Sequence, residues 1–224
     1  MQEEEYMGQV KETGNESLRA IILFVKAQLA GYFGFPSLAA SIFQTLESIG
    51  CASRFSHAAV PWFWNAGYVH YEMFRITGKR QHLRKARMYK KRLVKAEGIG
   101  CSSASMYIAF LVAEEASVRK ATDDATLIAT YKRGIESAAK DGQFHVEGFL
   151  SERAGFALDR RKRRTEAEFY FQRALDLYRN EWGAVAKYQW LQQKSAKLLS
   201  VIPDTRESAC TLPCGTFITV GNSL

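Results

Sequence analysis

Between Pro61 and Pro203 the chain has no proline, and only four occur in its 224 residues, at 36, 61, 203 and 213. A span rich in Ala, Leu, Lys, Arg and Glu with no proline is what helices tolerate and what turn-dense β-sandwiches do not provide. Cysteine is equally scarce. Four residues at 51, 101, 210 and 214 are too few and too scattered to staple a chain of this size. Cys210 and Cys214 form a single pair without the second pair a zinc site needs. The most apolar window, Ile21 to Phe43, is broken by Lys26, Gln28, Pro36 and glycines, short of the run of about 18 apolar residues a membrane span requires. The opening MQEEEYMGQ is no basic-then-apolar leader. These absences predict a reduced, soluble, cytoplasmic protein with no membrane partner, no cofactor and no metal.

Catalytic signatures are missing too. No G-x-x-x-x-G-K-[ST] loop occurs, since Gly78-Lys79 is followed by Arg80, and neither an H-R-D nor a D-F-G element is present. The four histidines, at 57, 70, 82 and 145, form no ligand spacing, and no Ser or Cys sits in a nucleophile elbow. The expectation is that the chain is not an enzyme.

What is there is a succession of helix pairs. Residues 1–14 are polar and predict a disordered N-terminus, residues 15–201 a helical domain, and residues 202–224 a disordered tail. Leu18, Ile21, Ile22, Val25, Leu29 and Tyr32 fall on one helical stripe; Gly31, Gly34 and Pro36 punctuate it, and Ser37 offers a cap for a helix carrying Leu38, Ile42, Leu46 and Ile49. Further helices are predicted over 62–76, 79–96, 105–120 and 125–140, the last capped by Asp123 or Asp124 and closed at Asp141-Gly142. One more ends near Leu158, another climbs from Thr165 to about Arg179, and a last one over about 184–199 is expected to cap the stack. The second helices of four pairs show Ala39/Leu46, Ala86/Leu93, Ile128/Ile135 and Ala167/Ala174, each seven apart. Such helices cannot bury their apolar stripe alone and must stack.

The stretch SERAGFALDRRKRRTEAEFYFQRALDLYRNEWGAVA carries the strongest pattern. Gly155, Ala167, Phe171 and Ala174 are spaced +12, +4 and +3, and Ala27, Ala39 and Phe43 repeat the first two intervals. Small residues let two backbones approach while Phe171 fills the space between them. With Tyr178, Trp182 and Gly183 this resembles a helix–turn–helix repeat of tetratricopeptide type. The run ERAG…A…YF..A...Y...WGA.AK, together with Ala138-Ala139-Lys140-Asp141-Gly142, resembles the helical-repeat region of large multidomain signalling ATPases that join kinase, predicted AAA-type ATPase and histidine kinase modules. The resemblance covers residues 18–192. It implies an all-α fold of tetratricopeptide-like hairpins forming a short right-handed α-solenoid, and a non-catalytic protein-binding or scaffolding role in such an assembly, with a protein partner.

Charge offers the alternative. Residues 79–95 hold nine Lys or Arg and no acid, and with the 160–164 run they supply most of the net charge of +8. Arg80, Arg84, Arg87, Lys91 and Lys95 with Arg160, Arg161, Lys162, Arg163 and Arg164 are a candidate surface for phosphate, nucleic acid or an acidic partner, and RRKRR would also serve as a nuclear import signal. The same residues equally describe the solvated face of one helix and one exposed corner. The aromatics at 62, 63, 64, 68, 71 and 74 could stack bases, but six in one helix with apolar neighbours describe a core.

Overall fold

The computed structural model describes residues 8, 10, 13–49 and 59–200, and among these every regular element is helical. Among the described residues nine α-helices follow one another: α1 (Glu16–Tyr32), α2 (Pro36–Ser48), α3 (Ala59–Thr77), α4 (Arg80–Gly98), α5 (Ala104–Val118), α6 (Asp124–Lys140), α7 (Phe144–Arg160), α8 (Arg164–Asp176) and α9 (Val185–Ser200). The all-α expectation holds. No described helix is long and apolar enough to cross a membrane. The expected disorder of residues 1–14 falls largely, and that of 202–224 with Cys210 and Cys214 wholly, outside the described residues.

Local chemistry sets the boundaries. Asn15 and Asp123 cap α1 and α6 through their side chains, accepting from the amides of Leu18 at 3.0 Å and Thr126 at 2.8 Å. Ser37 does not cap α2. Pro36 occupies the first turn and fixes φ there, and the Ser37 hydroxyl turns instead toward the Met73 sulfur. Helix α8 does not run on to Arg179; from Leu177 to Glu181 the chain widens into a π-turn before Gly183, at φ +68°, reverses it.

Consecutive helices pair as hairpins, α1 with α2, α3 with α4, α5 with α6 and α7 with α8. The seams are built on small residues. A Cβ on Gly155 would lie 2.6 Å from the Phe171 ring, one on Gly148 2.7 Å from Tyr178, and one on Gly67 2.7 Å from Leu111. Ala39, Ala86, Ala167 and Ala174 are fully buried. In the third hairpin Ile135 is buried as expected, but Leu127 rather than Ile128 is its buried partner on α6, and Gly134 lets Leu150 of α7 close against the backbone. Replacing Ala174 by Leu is expected to overpack its seam at a cost of about 1–3 kcal/mol, read from chemical unfolding.

The odd-numbered helices converge on an aromatic cluster. Trp64 stacks on Tyr107 with centroids 4.7 Å apart and meets Phe110 edge-on at 5.3 Å. Phe149 meets Tyr32 at 4.5 Å and Tyr68 at 5.0 Å. Of the six aromatics in α3, Trp62, Trp64, Tyr68 and Tyr71 are buried.

Helix α9 does more than cap the far end, because it returns to the first hairpin. Trp190 packs on Phe33, with centroids 6.1 Å apart, and on Gly34, whose left-handed φ of +79° and missing Cβ leave it room. The buried Lys187 ammonium donates to the Tyr32 carbonyl. Trp182 is 40% exposed; the π-turn swings its ring to the surface against Tyr178 and Tyr32. Trp182→Ala is therefore expected to cost about 1 kcal/mol, below the roughly 3–5 of a buried Trp.

One sequence expectation inverts in part: of the α1 stripe, Tyr32 is buried and Leu18 and Ile22 are half-buried. In α1 the packing face is Ala20, Ala27, Ala30 and Gly31, while Ile21, Val25 and Leu29 point outward at 51%, 46% and 51% exposure. The small residues win the seam because they admit the neighbouring backbone, and the larger ones are left outside.

Candidate binding site

The C-terminal halves of α3, α5 and α7 bring together charges that sequence reading placed on no common face. Glu114 is fully buried; Arg75 pairs with it at 2.7 Å and Arg153 at 3.2 Å. Both arginines also pair with Glu72, and the Tyr131 hydroxyl donates to Glu114 at 2.9 Å. Desolvation pushes the Glu114 carboxyl upward, yet Arg153 and Arg75 outweigh it and hold it at about 2. Beside this network the buried pair Lys187–Glu152 closes at 2.8 Å, and the Tyr178 hydroxyl donates to the same carboxylate at 2.8 Å. Further out, Glu115 is gripped by Arg87, Lys90 and Arg119; burial raises its pKa, and the bonds from Lys90 and Arg119 bring it down to about 2.

Glu72, Glu152 and Arg153 of these networks floor a cleft of about 370 Å³ between the α1–α2 corner, α3, α7 and α9. Its polar lining is Glu72, Glu152, Arg153, Arg160 and Lys194; its apolar wall includes Phe33, Phe35, Phe156 and Trp190. Arg153 also stands 5.1 Å over the Tyr68 ring.

The basic residues singled out from sequence divide. Arg80, Arg84, Arg87, Lys91 and Lys95 are exposed on α4, opposite the buried Ala86, Tyr89 and Leu93, but Arg87 is engaged with Glu115 at 2.9 Å. In the corner, Arg161 bonds Asp124 at 2.9 Å and the Thr122 carbonyl at 2.6 Å, and Arg163 reaches Asp124 at 3.3 Å. Lys162 occupies the left-handed turn at φ +63°. Arg164 begins α8, while Arg160 belongs to the cleft. Of the motif residues, Gly155, Ala167, Phe171 and Ala174 form the α7–α8 seam, Tyr178 holds Glu152, and Gly183 turns the chain.

A further pairing was invisible in the sequence. His70 of α3 and His82 of α4 meet with Nδ1 atoms 3.1 Å apart, beside Glu47, Lys85 and Tyr89. Burial, then Lys85 and His82, bring His70 down to about 4. Its folded pKa lies below the unfolded value near 6.5, so the stability of neutral His70 is full above pH 6.5 and drains as the pH falls toward 4. His70→Gln is expected to flatten the stability profile across that window by roughly 2–3 kcal/mol. Among the described residues no three His, Cys, Asp or Glu side chains gather to hold a metal.

Fold and site define an all-helical protein with a charged central cleft. No family model, curated protein or solved structure matches it.

Proposed function

We propose that the chain is a non-catalytic protein-binding module, a short α-solenoid of helical hairpins that docks an apolar-faced helix of a partner protein. The observation that carries this reading is the outward stripe of α1. Ile21, Val25 and Leu29 recur every four residues along one line, and Phe35 and Leu38, at 61% and 46% exposure, extend the apolar surface onto α2. Val25, Leu29, Phe33, Phe35 and Leu38 line a groove of about 470 Å³ that is almost wholly apolar. A contiguous exposed apolar surface of this kind marks an interaction site, and the i, i+4, i+8 rhythm suits helix-in-groove recognition. Membership of a signalling ATPase-type assembly is supported by the sequence run from Glu152 to Lys187 alone.

A photo-crosslinking residue at Val25, compared with one at the exposed Lys132 of α6, tests the docking surface in native cells. The expected product is a discrete adduct with a second protein from position 25 only. The purified partner should bind the parent chain, and Val25→Asp/Leu29→Asp should cost about 2–4 kcal/mol, the scale of interface hot spots. Self-adducts, intramolecular adducts or equal labelling from both positions would overturn the reading.

Nucleic-acid binding is the second reading, supported by the exposed Arg80, Arg84, Lys91 and Lys95. Helix α4 presents these charges with no aromatic interleaved at its exposed positions, so the surface lacks stacking platforms. Binding to duplex DNA is expected to be weak and to vanish near 150 mM salt, where the Debye length is about 8 Å. Neutralising Arg84, Arg87, Lys91 and Lys95 should flatten its salt dependence by about 0.9 per lost phosphate contact. A sub-micromolar complex at about that salt concentration would reverse the order of the two readings.

A further inference from the structure

Charge matching around the central cleft is complete on the acidic side and incomplete on the basic side. Glu72 and Glu114 are held by Arg75 and Arg153, and Glu152 is held by Lys187. Two cations that line the cleft are left over. Among the described residues, neither Arg160 nor Lys194 makes an ion pair or a hydrogen bond. Both side chains stand exposed on the lining of the cleft, and the Arg160 guanidinium, beside two other arginines and without a bonded acid, is open to an anion. Desolvation, then Arg75 and Arg153, lower the Arg160 pKa, and Tyr131 and Glu72 offset part of that. The rest of the lining is not ionic. Phe33, Phe35, Phe156 and Trp190 give the cleft an aromatic wall, and its volume of about 370 Å³ lies within the range of small-ligand sites.

The geometry points to a binding site for a small organic anion with an aromatic body, its negative group held between Arg160 and Lys194 and its ring against the Phe156–Trp190 wall. The paired carboxylates at the floor do not oppose such a ligand, because their charge is already spent on Arg75, Arg153 and Lys187. Carboxylate and phosphate monoester share the required chemistry. This site is separate from the α1 stripe, and its variants leave Ile21, Val25 and Leu29 untouched.

The test is calorimetric titration and thermal melting of the full chain with phenylacetate, phenyl phosphate, inorganic phosphate, benzylamine and benzyl alcohol. Phenylacetate or phenyl phosphate, or both, should bind and raise the melting temperature. Which of the two binds more tightly distinguishes carboxylate from phosphate recognition. Benzylamine, benzyl alcohol and inorganic phosphate should each bind at least about tenfold more weakly, since each lacks the charge or the ring. Arg160→Gln/Lys194→Gln should lose about tenfold or more in affinity for the aromatic anions. The same variant should melt no lower than the parent without ligand, because an unpaired cation has been removed from beside Arg75 and Arg153. The proposal is overturned if neither aromatic anion binds, if benzyl alcohol or inorganic phosphate binds as well as they do, or if the folded double variant binds them unchanged.

Discussion

Arg153→Met should lower the unfolding free energy by about 3–5 kcal/mol, the cost of leaving a buried acid without its partner. Arg153 is 4% exposed and serves Glu114 and Glu72 at once, while Arg75 alone remains to hold both carboxylates in the variant. Methionine replaces the stem and its packing on Tyr68 and Phe156 but not the charge. Adding Glu114→Gln should recover part of the loss, since the most deeply buried of the stranded carboxylates is then gone. Denaturant unfolding of the two single variants and the double variant measures this coupling. A loss below about 1 kcal/mol for Arg153→Met, within the range of exposed ion pairs, would show that the network contributes nothing beyond surface charge. The network also has a pH signature. Glu114 and Glu72 titrate below their ordinary values when folded, so the stability they contribute is present above about pH 4.5 and is lost as the pH falls through their folded values, about 2 for Glu114. Arg153→Met should move that acid loss to higher pH.

Trp64→Ala should cost about 3–5 kcal/mol, and Trp64→Phe less than about 1.5. The ring is 1% exposed and touches Tyr32 of α1, Tyr107 and Phe110 of α5 and Phe149 of α7, so its removal opens a hole where four helices meet. Phenylalanine keeps much of that contact. It also deletes an indole N–H that is buried with no hydrogen-bond partner, offsetting part of the lost area. If the alanine variant lost no more than the phenylalanine variant, the aromatic cluster would not be the centre of the molecule's cooperativity.

The seams and the cleft differ in how far they could be read from sequence. A short seam is written locally: Gly155, Ala167, Phe171 and Ala174 sit within one hairpin, and the spacing that lets Phe171 lie over Gly155 follows from helix geometry and one tight corner. The buried acids left a weaker trace. Glu114 and Glu115 stand in the otherwise apolar stretch ASMYIAFLVAEEASV, and Glu152-Arg153 stands among Phe149, Leu150, Ala154 and Gly155. Charges inside an apolar helix announce a buried partner, but the partner of Glu114 is 39 residues away in Arg153 and 39 in Arg75, on different helices. Likewise Lys187 reads as one more basic residue of α9 until the fold carries it back to Tyr32, 155 residues earlier in the chain.

The sequence by itself determined that this protein is helical, how its helices pair along the chain, and which small residues close the α7–α8 pair. These properties depend on proline placement, caps, glycine conformation and intervals of three, four or seven residues, all of which act within a few turns of chain. Tertiary structure alone decided that the large apolar residues of α1 face outward, that α9 returns to the first hairpin, and that Arg160 and Lys194 line a cleft whose acids are already paired. The reason is physical. Helix periodicity fixes which residues share a face, but which face is buried depends on how closely the neighbouring backbone can approach, and which charges pair depends on helices far apart in sequence.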